Sequence, residues 1–242
     1  EMSASLVGSE MCIRDSNRTI GYRPMKIFLQ RYGIYLSTTT IHKYMNKDLN
    51  LSAIVMRKKP GYKSCKKHKI FDNLLKQKFN VDEKNKIWCT DFTYMRQPNG
   101  KFRYNCTIMD LFDRSAIASV NSDYINTELA IETLTEALKK EKPNNGILLH
   151  SDQGVQYTSW EFVNFCKDNG VIQSMSKAGC PYDNAPMERF YNTFKNCFYY
   201  RYTFESVEQL DEMTKQYINW YNYVRPHSTN NYMTPMEFRY RA

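Results

Sequence analysis

A chain of 242 residues with 42% apolar content has enough material for one main core and a small appendage, so a long array of independent domains is excluded. No apolar run approaches the roughly 18 to 20 residues of a membrane helix, which excludes a helical membrane span. The net charge of +9 is carried by the front of the chain: residues 1–85 hold 17 Lys/Arg against 7 Asp/Glu, and residues 86–242 hold 17 against 18. A basic front half is the electrostatic footprint of polyanion binding, although a run such as Arg57-Lys58-Lys59 fits a solvated linker equally well.

Residues 1–16 carry no amphipathic period and are expected to be a non-native leader without assigned function. From there a small helical segment is expected over 17–52. Tyr22 to Tyr32 has helical spacing and is ended by Gly33, and Ser37 is placed to cap a second helix over 38–45. Two short helices around a glycine-containing turn predict a helix-turn-helix, with a plain α-hairpin packed on the main domain as the alternative. A basic connector is expected over 53–83, rich in lysine and broken at Pro60-Gly61. Within it, Cys65-Lys66-Lys67-His68 lacks a second ligand pair at zinc spacing, so no zinc site is expected. The seven cysteines form no Cys-x-x-Cys pair, and a reducing cytoplasm is the expected setting.

The remainder reads as α/β, with a main domain over 84–199. Strands are predicted at 86–95 and 102–110, joined by a hairpin at Asn99-Gly100, and at 114–120. A helix over 125–141 directs Leu129, Ile131, Leu134 and Leu138 inward. Strand 147–150, helix 159–168, strand 171–175, a loop over 176–184 and a helix from Ala185 follow. A helical extension over 200–242 contains a helix at 206–222 and then Arg225-Pro226-His227.

Three carboxylates stand out. Asp91 lies inside a strand, in Trp88-Cys89-Thr90-Asp91-Phe92-Thr93-Tyr94, where period 2 groups it with Cys89 and Thr93. Asp152 ends the apolar run Ile147 to Ser151, at the strand edge where α/β sheets place ligands. Glu188 follows with 35 residues between, early in a helix with Asp183 or Asn184 as its cap and Pro186 in its first turn. Helical spacing puts Asn184, Glu188, Tyr191 and Lys195 on one stripe. Taken singly these are a salt-bridged Asp, a turn Asp and a solvated Glu. Together they suit divalent cations in phosphoryl transfer, because buried carboxylates are costly without a counter-charge. Asp110 and Asp113, at a strand end and turn, are expected to be structural.

These residues sit in four ordered blocks: Trp88 to Tyr94, His150-Ser151-Asp152-Gln153-Gly154-Val155-Gln156-Tyr157-Thr158-Ser159, Asp183-Asn184-Ala185-Pro186-Met187-Glu188-Arg189-Phe190, and Tyr221-Asn222-Tyr223-Val224-Arg225-Pro226-His227. Blocks and spacing resemble the DDE transposases of bacterial insertion sequences, most closely the IS-three-type group with a retroviral-integrase-like core, over residues 17 to 240. The resemblance implies an RNase H-like mixed sheet flanked by helices, with the helix-turn-helix before it. It implies that Asp91, Asp152 and Glu188 hold two Mg²⁺ ions, replaceable by Mn²⁺, for cleavage and strand transfer at the ends of an insertion sequence.

Lys195, Arg189, Lys43 and Arg23 are then expected to bind DNA, and His150 and Asn184 to support the carboxylates without touching the ions. DNA ends and target DNA are the implied partners. A homo-oligomer on DNA and an upstream-frame fusion supplying a further DNA-binding domain are also implied, in a nucleoid-associated setting. A stand-alone RNase H-like nuclease and a catalytically inactive DNA-binding regulator are the alternatives.

Overall fold

The computed structural model describes residues 21–49, 69–144 and 146–241. The leader over 1–16, most of the connector and the Cys65–His68 cluster lie outside them. Helix α1, Tyr22–Arg31, stops where Gly33 takes φ +77°, a left-handed conformation open to glycine, and the Ile34 N–H bonds back to the Leu29 carbonyl. Ser37 caps α2, Thr38–Lys43, by accepting from the Thr40 N–H at 3.0 Å, and a π turn at Tyr44–Asp48 extends it. Met25, Leu29, Ile41 and Met45 form a small core of their own between these helices.

Five strands build the main sheet in the order β3-β2-β1-β4-β5. Strands β1 (Ile87–Arg96), β2 (Phe102–Asp110) and β3 (Ala116–Ser122) form an antiparallel meander, while β4 (Ile147–Ser151) and β5 (Val171–Met175) join β1 in parallel. Gly100, at φ +82°, makes the hairpin turn that Asn99-Gly100 predicts. The third strand begins two residues later than expected. Arg114 sits in a left-handed turn at φ +64°, outside the strand.

Alternation along β1 sorts two apolar layers. Cys89 and Met95 join Met187, Phe190 and Phe194 of α6 (Ala185–Cys197) and Leu210, Tyr217 and Tyr221 of α7 (Val207–Tyr223). On the opposite face, Trp88 joins Ala130 and Leu134 of α3 (Thr127–Glu141) and Phe162 and Cys166 of α5 (Trp160–Asp168). The one-turn helix α4, Val155–Thr158, precedes α5, which Ser159 caps by accepting from the Phe162 N–H. Complete burial of side chains such as Phe190 or Trp88 contributes roughly 1.5–3 kcal/mol each.

Two flanking segments are tied into this core. Of the expected connector, the described residues 69–83 run along the sheet: Leu75 is buried among the α6 and α7 residues, the Leu74 N–H donates to Ser174 Oγ, and the Met175 N–H donates to the Asp72 carbonyl. The C-terminal helix α8, Pro235–Arg241, sends Arg239 into the core to pair with Asp110, Asp113 and Glu141. Asn222 of α7 pairs with both the N–H and the carbonyl of Ala116, closing the edge of β3 as a neighbouring strand would.

Candidate active site

The parallel register of β1 and β4 sets Cys89 level with His150. Continuing that direction by two residues brings Asp91 within the field of Asp152, the residue just past the end of β4. The half-buried Asp91 accepts from the Phe92 N–H through Oδ1 at 2.8 Å. Asp152 is exposed and accepts from the Gly154 N–H, also at 2.8 Å. Glycine at 154 leaves room for this contact: a Cβ there would lie 2.9 Å from the Asp152 Oδ1 that its own N–H holds, so the carboxylate would have to shift.

Helix α6 brings the third carboxylate. Its stripe faces β1, and two bonds dock it on either side of Asp91. Tyr191 donates its hydroxyl to the Asp91 carbonyl at 2.9 Å, and Asn184 donates Nδ2 to the Thr90 carbonyl at 3.2 Å. Glu188 lies between Asn184 and Tyr191 on that stripe. Neither Asp183 nor Asn184 caps the helix, contrary to expectation: Asn184 is spent on β1, and Asp183 accepts from Gln77 and from the Lys177 N–H.

The electrostatics follow from this placement. Burial, then the charge of Asp152, pushes the Asp91 carboxyl up to about 8, with Glu188 adding to the rise while the Phe92 N–H and Lys195 oppose it. Glu188 is raised by burial as well. The Lys195 ammonium stands 4.3 Å from the centre of the Tyr94 ring, a cation–π contact that holds a positive charge beside the carboxylates. Among the described residues, no three His, Cys, Asp or Glu side chains converge tightly enough to form a ready metal cage. The donor set nevertheless suits a hard divalent cation, being all oxygen and short of positive charge. The buried Oδ1 of Asn184, beside the strand that carries Asp91, has no hydrogen-bond partner.

Residues 81–181 match the family described as Integrase core domain, and residues 169–235 match a second family of the same description. The chain is 31% identical to the putative transposase InsK for insertion sequence element IS150 of Escherichia coli, over 90% of this chain and 77% of that protein. The chain belongs to the IS3-type family of DDE transposases. It is 33% identical to transposase InsF for insertion sequence IS3A of Escherichia coli, over 70% of this chain and 59% of that protein. The catalytic core domain of HTLV-2 integrase, solved in complex with magnesium, superposes with a TM-score of 0.53 at 16% identity, covering 65% of this chain and 97% of that one. The shared architecture is the RNase H-like fold.

The transposase fold thus gathers Asp91, Asp152, Glu188, Lys195 and Asn184 on one side of β1. His150 lies apart from that group: it is fully buried, its ring nitrogens meet Ser174 and Ser176, and burial takes it down to about 4. Arg189 is exposed on a different stripe of α6, lining a cavity together with Arg23, and Lys43 is exposed at the end of α2. Asp110 and Asp113 are structural, held by Arg239 and by the backbone N–H groups of Asn85, Phe112 and Ser115. Sequence reasoning missed Arg239 as their partner and Tyr191 as the bond that fixes Asp91. Tyr191 was visible in the stripe with Glu188; Arg239, 126 residues from Asp113, left no local signal. Among the described residues no helix is long and apolar enough to cross a membrane.

Proposed function

We propose that this transposase cleaves DNA at the ends of an insertion sequence and joins the freed 3′ ends to target DNA, using Asp91, Asp152 and Glu188 to hold two Mg²⁺ ions. The observation that carries this is the Asp91 carboxyl, held far above an ordinary Asp by burial and then by the charges of Asp152 and Glu188, charges that divalent cations would relieve. Asp91, at the centre, would hold the ions together with Asp152 and Glu188. When bound, such ions activate the attacking oxygen and stabilise the leaving 3′ oxygen of an in-line displacement. The magnesium in the HTLV-2 integrase core supports this choice of ion.

The protein's own groups position the reaction. Tyr191 and Asn184 clamp the backbone around Asp91, so the central carboxylate is held while Asp152 stays at the solvent edge. Lys195 offers a positive charge to the phosphate of the bound strand. Water attacks first and frees a 3′ hydroxyl; that hydroxyl then displaces a 3′ oxygen in the target, exchanging one phosphodiester for another without an external energy source. The α1–α2 unit, with Lys43 exposed, supplies a DNA-binding segment, and two copies of the chain would bring two DNA ends together. A fusion with an upstream frame would supply a further DNA-binding domain.

The test is a labelled duplex carrying the cognate terminal repeat, incubated with the protein, Mg²⁺ and an unlabelled target. Cleaved and joined products are expected. Cleavage without joining would leave an RNase H-like nuclease, and binding without either would leave a DNA-binding regulator.

A further inference from the structure

On a second stripe of α6, turned away from Glu188, Pro186, Arg189 and Thr193 line a cavity of about 450 Å³. Four elements contribute an arginine to its wall: Arg23 from α1, Arg114 from the turn before β3, Arg189 from α6, and Arg225 from the segment after α7. Among the described residues lining it there is no Asp or Glu, and none of the four arginines is ion-paired within the described chain. Like charges from separate elements repel; the charges of Asp110 and Asp113 offset part of this at Arg114, and an anion in the cavity would offset more.

The local structure turns these cations toward the cavity. Arg114 is held in a left-handed backbone conformation, φ +64°, which costs a non-glycine residue on the order of 1 kcal/mol or more. Its Nη2 donates to the Phe79 carbonyl at 2.8 Å, while its buried Nη1 has no partner. A covered guanidinium nitrogen without an acceptor costs free energy, which a small shift of the side chain toward an anion in the cavity would recover. Arg225 is aimed by His227, whose Nε2 lies 3.2 Å from its Nη1, and by the Tyr221 ring beneath its guanidinium. The volume is that of a small-molecule site, larger than a bare phosphate requires, and Phe79, Phe190 and Tyr221 give part of the wall an apolar surface.

We propose that this cavity binds the phosphate of a nucleotide, with the arginines on the phosphate oxygens and the sugar and base against the apolar wall. Planar guanidinium forks suit phosphate oxygens in pairs. The phosphate belongs either to a free nucleotide or to a DNA strand. The site is independent of the carboxylates and needs no metal ion, so it stands whether or not strand transfer does.

The test is binding of deoxyadenosine 5′-monophosphate, inorganic phosphate and a 5′-phosphorylated single-stranded oligonucleotide to the full chain, with EDTA present throughout. The variants are Arg114→Gln, the double variant Arg189→Gln/Arg225→Gln, and Lys139→Gln on exposed α3 as control. Saturable binding is expected, weakened at least about tenfold by the double variant and unchanged by Lys139→Gln. If Arg114→Gln fails to fold, as judged by circular dichroism, the double variant decides alone. Equal affinity for the monophosphate and the oligonucleotide assigns the site to free nucleotides. Oligonucleotide binding that is much tighter, yet equally sensitive to the double variant, assigns it to a DNA strand. Affinities unchanged by the double variant, or no binding of any probe, would overturn the proposal.

Discussion

Two pairs of aspartates in this transposase sit in or beside the same sheet and meet opposite surroundings. Asp110 and Asp113, both fully buried, are held by Arg239 and by backbone N–H groups from three residues. Asp91 lies within the field of Asp152 and of Glu188, so most of the charge acting on it has its own sign. A buried carboxylate whose acceptors are filled holds the fold together. One beside other carboxylates, opposed only by Lys195, is where the proposed function would place divalent cations.

The largest effects should fall on chemistry at one pair and on stability at the other. Asp91→Asn, Asp152→Asn and Glu188→Gln are each expected to reduce cleavage at least about a thousandfold, roughly 4 kcal/mol of barrier, with duplex DNA affinity nearly unchanged. Asp91→Asn should also leave the melting temperature at neutral pH unchanged or raised. The sign follows from its raised folded value: the stability tied to that proton is complete below 3.8 and is lost as pH rises through about 8, so an amide removes a cost. A clear drop in melting temperature would place Asp91 with the structural pair. Withdrawal of divalent ions by EDTA should stop cleavage and joining, with Mg²⁺ or Mn²⁺ restoring both and Ca²⁺ allowing binding with little turnover. Full turnover in EDTA would end the two-ion proposal.

Arg239→Met should have the converse profile. Removing one partner from a buried charge cluster costs about 3–5 kcal/mol, read as a lower denaturation midpoint, whereas the surviving folded fraction should cleave normally. Gly154→Ala should act on the catalytic side only. Its Cβ crowds Asp152 Oδ1, and a loss of about tenfold in cleavage, or ~1.4 kcal/mol of barrier, is expected with little change in melting temperature; full activity would show that Asp152 can move without consequence. The smallest effect concerns the two buried histidines. Burial holds His150 at about 4 and His227 well below 6.5, with Arg225 and Arg114 adding to the depression of His227. Below 6.5 the unfolded chain takes up protons that the folded chain refuses. The histidines' contribution to stability should therefore be level above pH 7 and fall below 6.5, by at most about 1.4 kcal/mol per pH unit for each histidine, against the opposite slope that Asp91 sets between 3.8 and about 8. His227→Asn should make that fall shallower, and an unaltered slope in chemical denaturation would exclude His227 as a source.

The sequence by itself determined the order and type of nearly every element, because periodicity, caps and turn residues act within a few positions: Ser37, Gly33 and Asn99-Gly100 all stand where local chemistry requires them. It also singled out Asp91, Asp152 and Glu188, since charge at a strand centre, at a strand end and early in a helix, repeated in ordered blocks, is a pattern along the chain. Only the tertiary structure decided what those residues face. It divided α6 into a stripe that carries Glu188 to Asp91 and another that carries Arg189 to a cavity with Arg23, Arg114 and Arg225. It paired Arg239 with Asp110 and Asp113, and spent Asn184 on the Thr90 carbonyl instead of a cap. The reason is physical: capping and periodicity are local interactions written in neighbouring residues, whereas a charge is neutralised by whatever the fold brings within a few ångströms, at any distance along the chain.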